Sequence, residues 1–152
     1  MAVSILEAAR RISRLQSNDV FIFVFSRTEV LEFAERLNRE QLRSGVRSDG
    51  ETLRIEGDPK RDYSPKYRAF KTKRGTPKDV VDLNLTGEFY DSIQAKYENG
   101  NLILQGDPIK DGQDLRKRWG NEIIGLTKEN VELLREYIVR FVVPDFFRTY
   151  LR

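Results

Sequence analysis

The sequence predicts an α+β fold: a small antiparallel β-sheet packed by two main α-helices, with a long irregular basic arm. Three observations carry this. Apolar residues recur at helical spacing near residues 28–44 and 128–142. An Asn99-Gly100 step lies between two apolar runs, the strongest short-range hairpin signal. Between them, residues 46–79 lose all periodicity and carry Gly50, Gly57, Gly75, Pro59, Pro65 and Pro77.

The N-terminal region, residues 1–45, is predicted to be helical. Ile5, Ala8, Ala9, Ile12 and Leu15 form a stripe that Ser17 and Asn18 interrupt. The run from Val20 to Phe25 has no polar alternation and fits either a buried strand or a short buried helix. Helix is favoured because a second helix follows at once. Ser26 with Glu29 has the spacing of a capping box for that helix. Val30, Phe33, Ala34, Leu37 and Leu42 then supply its apolar face, and Ser44-Gly45 its stop.

Residues 46–79 are predicted to be an extended arm or loop ordered by partners, with one short strand near 52–56. Long irregular segments in small domains are usually functional or disordered. The sheet region, residues 80–106, opens with a predicted strand at Val80, Val81, Leu83 and Leu85, broken by Thr86-Gly87. A helical turn at 89–92 precedes the hairpin of residues 93–98 and 102–105. The C-terminal region, residues 111–152, holds a short helix at 115–119 ending at Gly120. Thr127 caps a last helix with Val131, Leu134, Ile138, Phe141 and Val142 on one face, which Pro144 should kink or end. Short runs ending in Gly57-Asp58-Pro59 and Gly106-Asp107-Pro108 echo each other, as shared strand-exit turns do.

The whole is predicted to be one domain of 152 residues, with 39% apolar and 34% charged residues making a modest core and a wet surface. There is no cysteine and no histidine. Disulfides and thiolate chemistry are therefore excluded, as are the commonest general base and transition-metal ligand. The N-terminal apolar residues run straight into Arg10, Arg11 and Arg14, unlike a signal peptide. The longest apolar run is too short to span a bilayer, so a soluble protein made inside a cell is expected, with no cofactor and no membrane partner. The glycosylation-like step Asn84-Leu85-Thr86 is accordingly taken as chance.

Charge is segregated. Residues 59–78 hold eight cations (Lys60, Arg61, Lys66, Arg68, Lys71, Lys73, Arg74 and Lys78) and one anion, Asp62. The arm is thus +7 in a chain of +3, leaving −4 elsewhere. Tyr63, Tyr67 and Phe70 are interleaved. Such a segment neutralises phosphates, with aromatics to stack on bases, or docks on an acidic protein surface. Equally, it is a solvated loop whose aromatics pin it to the domain.

At the C-terminus Phe146, Phe147, Tyr150 and Leu151 make an apolar tail expected to form a subunit interface. Trp119 is expected to be a core anchor rather than an interface residue. No catalytic constellation stands out. The best nuclease-like grouping is Asp82 with Gln94 and Lys96, but a Mg²⁺ site needs a second carboxylate and Gln94 is neutral. The acids at helical spacing (Glu29, Glu32, Glu35, Glu40, Glu129, Glu132 and Glu136) sit among Arg and Lys and fit exposed ion pairs.

Several motifs occur in a recognisable order. Gln41-Leu42-Arg43-Ser44-Gly45 is followed by Ser48-Asp49-Gly50, then Tyr63-Ser64-Pro65 and Lys71-Thr72-Lys73-Arg74-Gly75. The series closes with an aliphatic run, Val81-Asp82-Leu83-Asn84-Leu85, entering Thr86-Gly87 and then Phe89, Ser92 and Ile93. In this order residues 38–93 resemble the tailed-phage virion-morphogenesis and tail-completion proteins, a family of head–tail joining components. Residues 51–62 stand as an insertion relative to that pattern. The resemblance implies a structural virion protein and no enzyme: a subunit of a head–tail connector (neck) ring or tail-completion assembly. It implies a homo-oligomeric ring contacting other neck, portal, capsid or tail proteins and the channel DNA. Such a protein is made in the host bacterial cytoplasm and resides at the head–tail junction. The reading that the residues alone leave beside it is a nucleic-acid-binding protein acting through the arm at 59–78.

Overall fold

The computed structural model describes residues 5–53, 65–75, 81–84, 86–110 and 112–151. It is α+β, with helices surrounding a small antiparallel hairpin. Three helices open the chain: α1 (Ile5–Ser13), α2 (Ser17–Phe25) and α3 (Thr28–Arg43). The apolar run of residues 20–25 is thus helical. The Gln16 N–H donates to Asp19 Oδ2 at 3.0 Å at the start of α2. The capping box expected at Ser26 and Glu29 does not form. Ser26 instead donates to the Phe23 carbonyl at the end of α2, and Arg27 stands at the N-cap of α3 without a capping side chain. Gly45 takes φ 71° just past α3, while the Val46 N–H returns to the Gln41 carbonyl, so the glycine stop holds.

The arm contains a helix, α4 (Pro65–Lys73), which corrects the expectation of an irregular stretch. Two of the breakers, Pro65 and Gly75, mark its ends instead. Pro65 occupies the first helical position, where its missing N–H costs nothing, and Gly75 follows at φ 66°. Of the strand predicted near 52–56, residues 54–56 lie outside the described residues, and Thr52 forms an antiparallel bridge with Val46. The strand predicted from Val80 is also not formed in residues 81–84. Leu83 sits at φ 54°, which no strand accommodates.

After α5 (Glu88–Ser92) comes the predicted hairpin, β1 (Gln94–Glu98) paired with β2 (Asn101–Gln105). Glu98 faces Asn101 across the turn, and Asn99 and Gly100 both take positive φ, 51° and 82°. Those are the angles a two-residue type I′ turn requires. A two-residue ladder joins β3 (Ile109–Lys110) to β4 (Gln113–Asp114), leading into α6 (Leu115–Trp119). Among the described residues the antiparallel structure is therefore smaller than the predicted 80–106 sheet. A 3-10 turn (Asn121–Ile123) precedes α7 (Lys128–Tyr137), whose N-cap Thr127 accepts from the Asn130 N–H as expected. A π-turn (Ile138–Val142) then runs into α8 (Val143–Tyr150). Pro144 explains the widening: a tight α-turn would drive its ring into the carbonyl four residues back. The wider turn keeps the helix going to Tyr150.

Two apolar clusters make the core, and α3 feeds both. Leu42 joins Leu53, Val81, Phe89, Tyr90, Ile93, Trp119 and Ile123. Val30, Ala34 and Leu37 join Val24, Leu134 and Val142. Trp119 is the core anchor predicted for it.

Polar side chains of α3 hold the rest in place. Glu35 Oε1 accepts from the Ala95 N–H at 2.9 Å, and Arg39 donates to the Tyr90 and Ile93 carbonyls, fixing β1. On the opposite side Asn38 and Gln41, both buried, donate to the Gly125 carbonyl. Gln41 Oε1 also accepts from the Thr127 N–H at 2.9 Å and from Asn130 at 3.0 Å. This buried latch sets the approach of α7. Among the described residues no helix is long and apolar enough to cross a membrane.

Candidate interaction surfaces

The described part of the basic arm is α4 and its exit. Lys66, Phe70, Lys73 and Arg74 are exposed, whereas Tyr67 and Arg68 are half-buried. The Tyr67 and Phe70 rings stack at 5.9 Å, and the Arg74 guanidinium lies 5.1 Å over the Phe70 ring. This face displays three cations around one aromatic. Lys60, Arg61, Tyr63 and Lys78, also expected to contact partners, lie outside the described residues.

Lys71 corrects its assignment to the partner-facing set. It is 1% exposed and donates to Asp82 Oδ1, and Asp82 is 0% exposed. Asp82 Oδ1 also accepts from the Asn84 N–H, and the Tyr90 hydroxyl donates to the Asp82 carbonyl. The pair therefore ties α4 to the 81–84 segment and, through Tyr90, to the first apolar cluster. Burial pushes the Tyr67 phenol above its ordinary range, and the Asp82 charge adds to this, against a smaller opposing effect of Arg74. One face of α4 is thus structural and the other is presented outward. A run of eight cations does not distinguish them, because the partner of Lys71 is set by tertiary contact.

The C-terminal aromatics divide likewise. Phe146 is 4% exposed and meets Phe23 edge-on at 5.1 Å. Its expected place in a subunit interface is corrected, since α8 packs on α2 and uses Phe146 to do so. Tyr150 stacks on Phe146 at 5.5 Å, and both Tyr150 and Leu151 are half-buried. Only Phe147 remains substantially exposed, at 38%.

The larger apolar feature was not foreseen. Between α2, β2 and the α7–π-turn helix lies an open groove of about 640 Å³. Phe21 and Phe25 form one wall, Leu102 and Leu104 the floor, and Val131 and Val139 the other wall. Phe21 is 52% exposed, Val131 49% and Val139 59%. Among the lining residues only Arg135 carries a polar side chain. The sequence signal is the run of residues 20–25 in α2, which is apolar on every side and has more apolar surface than one core face can cover.

The nuclease-like grouping does not assemble as spaced in the sequence. Asp82 is taken by Lys71, Gln94 is exposed, and Lys96 pairs with Glu98 at 2.9 Å on the hairpin. Among the described residues no three acidic side chains converge as a metal site would require. The helical acids behave mostly as predicted ion-pair partners. Exposed examples are Glu40 with Arg36 at 3.9 Å and Glu132 with Arg135 at 3.1 Å, whereas Glu35, paired with Arg39, is half-buried. Near the head of α5, Lys110 bonds to Glu88 at 2.6 Å and to the Thr86 hydroxyl. The Lys110 hydrogen bond and charge, helped by Thr86, hold the Glu88 carboxyl below its usual range.

The surface therefore defines an α+β chain with two external features of opposite character, a cationic helix face and an apolar groove. No family model, curated protein or solved structure matches this chain.

Proposed function

We propose that this chain is a non-catalytic structural subunit of a tailed-phage neck, assembling as a homo-oligomeric ring at the head–tail junction. The observation that carries the reading is the open apolar groove, with Phe21, Val131 and Val139 displayed on its walls. Apolar surface of this kind marks a contact with another macromolecule. The order of motifs in residues 38–93, similar to that of tail-completion proteins, supports the choice of this assembly. Rings close through heterologous contacts, in which one patch meets a different patch on the next copy. The other neck, portal, capsid or tail proteins would then sit above and below it.

A mass measurement on purified virions, with the protein located by electron microscopy, tests this. The protein should be present at the neck in several copies. Its absence from intact particles sinks the proposal.

The exposed Lys66, Lys73 and Arg74 around Phe70 favour a second reading, binding of nucleic acid through α4. Phosphate contacts make such binding fall steeply with salt. DNA binding by the purified chain that weakens in this way, and is lost in Lys73→Glu with Arg74→Glu, would favour that reading. The two are compatible where the ring encloses DNA.

A further inference from the structure

We propose that the Lys71–Asp82 pair is the reactant state of an intramolecular amide: the chain condenses the two side chains into an isopeptide crosslink and releases water. The inference goes beyond the neck reading and does not depend on it.

Three observations select this pair. The first is burial with contact. Lys71 and Asp82 are the charged residues that lie in the interior among the described residues, and Lys71 Nζ touches Asp82 Oδ1 there. The other ion pairs formed among the described residues leave at least one side chain within reach of solvent, as Lys110 with Glu88 does.

The second is the choice of cation. Arginine suits a buried ion pair better, because its planar fork matches a carboxylate and it stays charged. This chain uses arginine in its partly buried pairs, Arg27 with Asp145, Arg39 with Glu35 and Arg47 with Asp49. Lysine offers what arginine cannot, a primary amine that becomes a nucleophile once it gives up one proton. The third is the backbone beside the carboxyl. Leu83 holds φ 54°, a left-handed conformation costly for a leucine, where Asp82 turns inward. Stability alone does not account for the arrangement, since apolar residues of similar volume often serve as well as a buried ion pair or better. An amide removes both charges, and with them their desolvation cost.

The step balances with no other reactant. Proton transfer from Nζ to the carboxylate gives a neutral amine and a neutral acid. The amine lone pair attacks Asp82 Cγ. A second nitrogen proton moves to the departing hydroxyl as the C–O bond breaks, leaving an Nζ–Cγ amide and one water. Oδ1 is bonded to Cγ, so the same contact brings the nitrogen close to the carbon it attacks. Groups held at near-attack separation react as though at effective concentrations of about 10⁵–10⁸ M. Tyr67 precedes Lys71 by one turn on the same face of α4, and its half-buried phenol senses the Asp82 charge, so it is placed to carry the migrating proton. Until this step the two groups behave as an ion pair. After it, α4 and the cations it displays are fastened covalently to the 81–84 segment.

Intact-mass measurement on the denatured full chain, sampled from purification through prolonged warm incubation, tests this. The mass should fall below the sequence mass by one water. Digestion should yield a branched peptide joining Lys71 to Asp82, with no tryptic cut after Lys71. Lys71→Arg keeps a cation but cannot form the amide, so it should retain its full mass. The wild-type mass and peptide map need no variant, so misfolding of Lys71→Arg leaves them decisive. Tyr67→Phe should lose water at least about tenfold more slowly. A wild-type chain of full mass throughout overturns the inference. So does a water loss that persists in Lys71→Arg, or one that maps to Asp49-Gly50 or Asp111-Gly112, where an aspartyl-glycine step can cyclise onto its own backbone. Water loss at the wild-type rate in Tyr67→Phe overturns the part given to the phenol.

Discussion

Replacing Lys71 by Met removes the ammonium from the buried Asp82 carboxylate. Both side chains are essentially inaccessible to water, at 1% and 0% exposure, so solvent cannot take over from the lost ammonium. Removing one member of a buried pair costs about 3–5 kcal/mol. In a chain of this size each kcal/mol moves the melting temperature by about 2–4 °C, so the midpoint should fall by about 6–20 °C. Replacing the pair together, Lys71→Met with Asp82→Leu, removes the buried carboxylate as well. Such apolar replacements are often neutral or stabilising by about 1–4 kcal/mol. The lost Asn84 N–H bond to Asp82 offsets about 1–3 kcal/mol of that where the N–H becomes buried. The double variant should therefore lie near wild type, and the coupling between the two positions should approach the sum of the two single losses. Urea unfolding followed by the fluorescence of Trp119, the sole tryptophan and a member of the cluster containing Val81 and Tyr90, reads this out. The effect should persist in salt, because a buried pair is poorly screened. A single-variant loss under about 1 kcal/mol, or strictly additive effects, would refute the buried pairing.

Two further outcomes follow from the geometry. Gln41→Ala removes the acceptor of the buried Thr127 N–H and should lower stability by about 1–3 kcal/mol in denaturant titrations; an unchanged midpoint would mean the latch does not form. Glu88, whose carboxyl Lys110 holds below its usual range, stabilises the fold above the unfolded-state glutamate pKa, and this contribution is lost as pH falls through the lower folded value. An NMR titration should place the Glu88 midpoint below that of an ordinary glutamate, and Lys110→Met should return it to the ordinary range.

The parts of the fold that were legible in the sequence are those fixed by local chemistry. Asn99-Gly100 specifies its turn because both residues tolerate positive φ. The stripes of α3 and α7, the Gly45 stop and the Thr127 cap are likewise local signals. What was missed depends on tertiary contact. Asn38 and Gln41 looked like polar interruptions of a helix, and only the approach of Gly125 and Thr127 makes them a buried latch. Val81 to Asn84 has strand-like composition, but Leu83 takes positive φ where Asp82 turns inward to Lys71. For α4, Pro65 and Gly75 read singly as breakers of regular structure, although their order, proline first and glycine after, is that of helix start and stop. Among the candidate site residues, composition could identify cations and aromatics but not their facing, which is why Lys71 and Phe146 moved inside.

Because α3 contributes to both apolar clusters, neither cluster can come apart while that helix stays in register with the other. At about 24 Å for its 16 residues, it works as a shared spine, and the two clusters belong to one cooperative unit rather than two separable ones. Amides at its centre should exchange with solvent only on global unfolding, whereas those of α1 should exchange through local fraying. A load applied to one cluster is therefore carried along the spine to the other rather than absorbed by opening at the boundary between them.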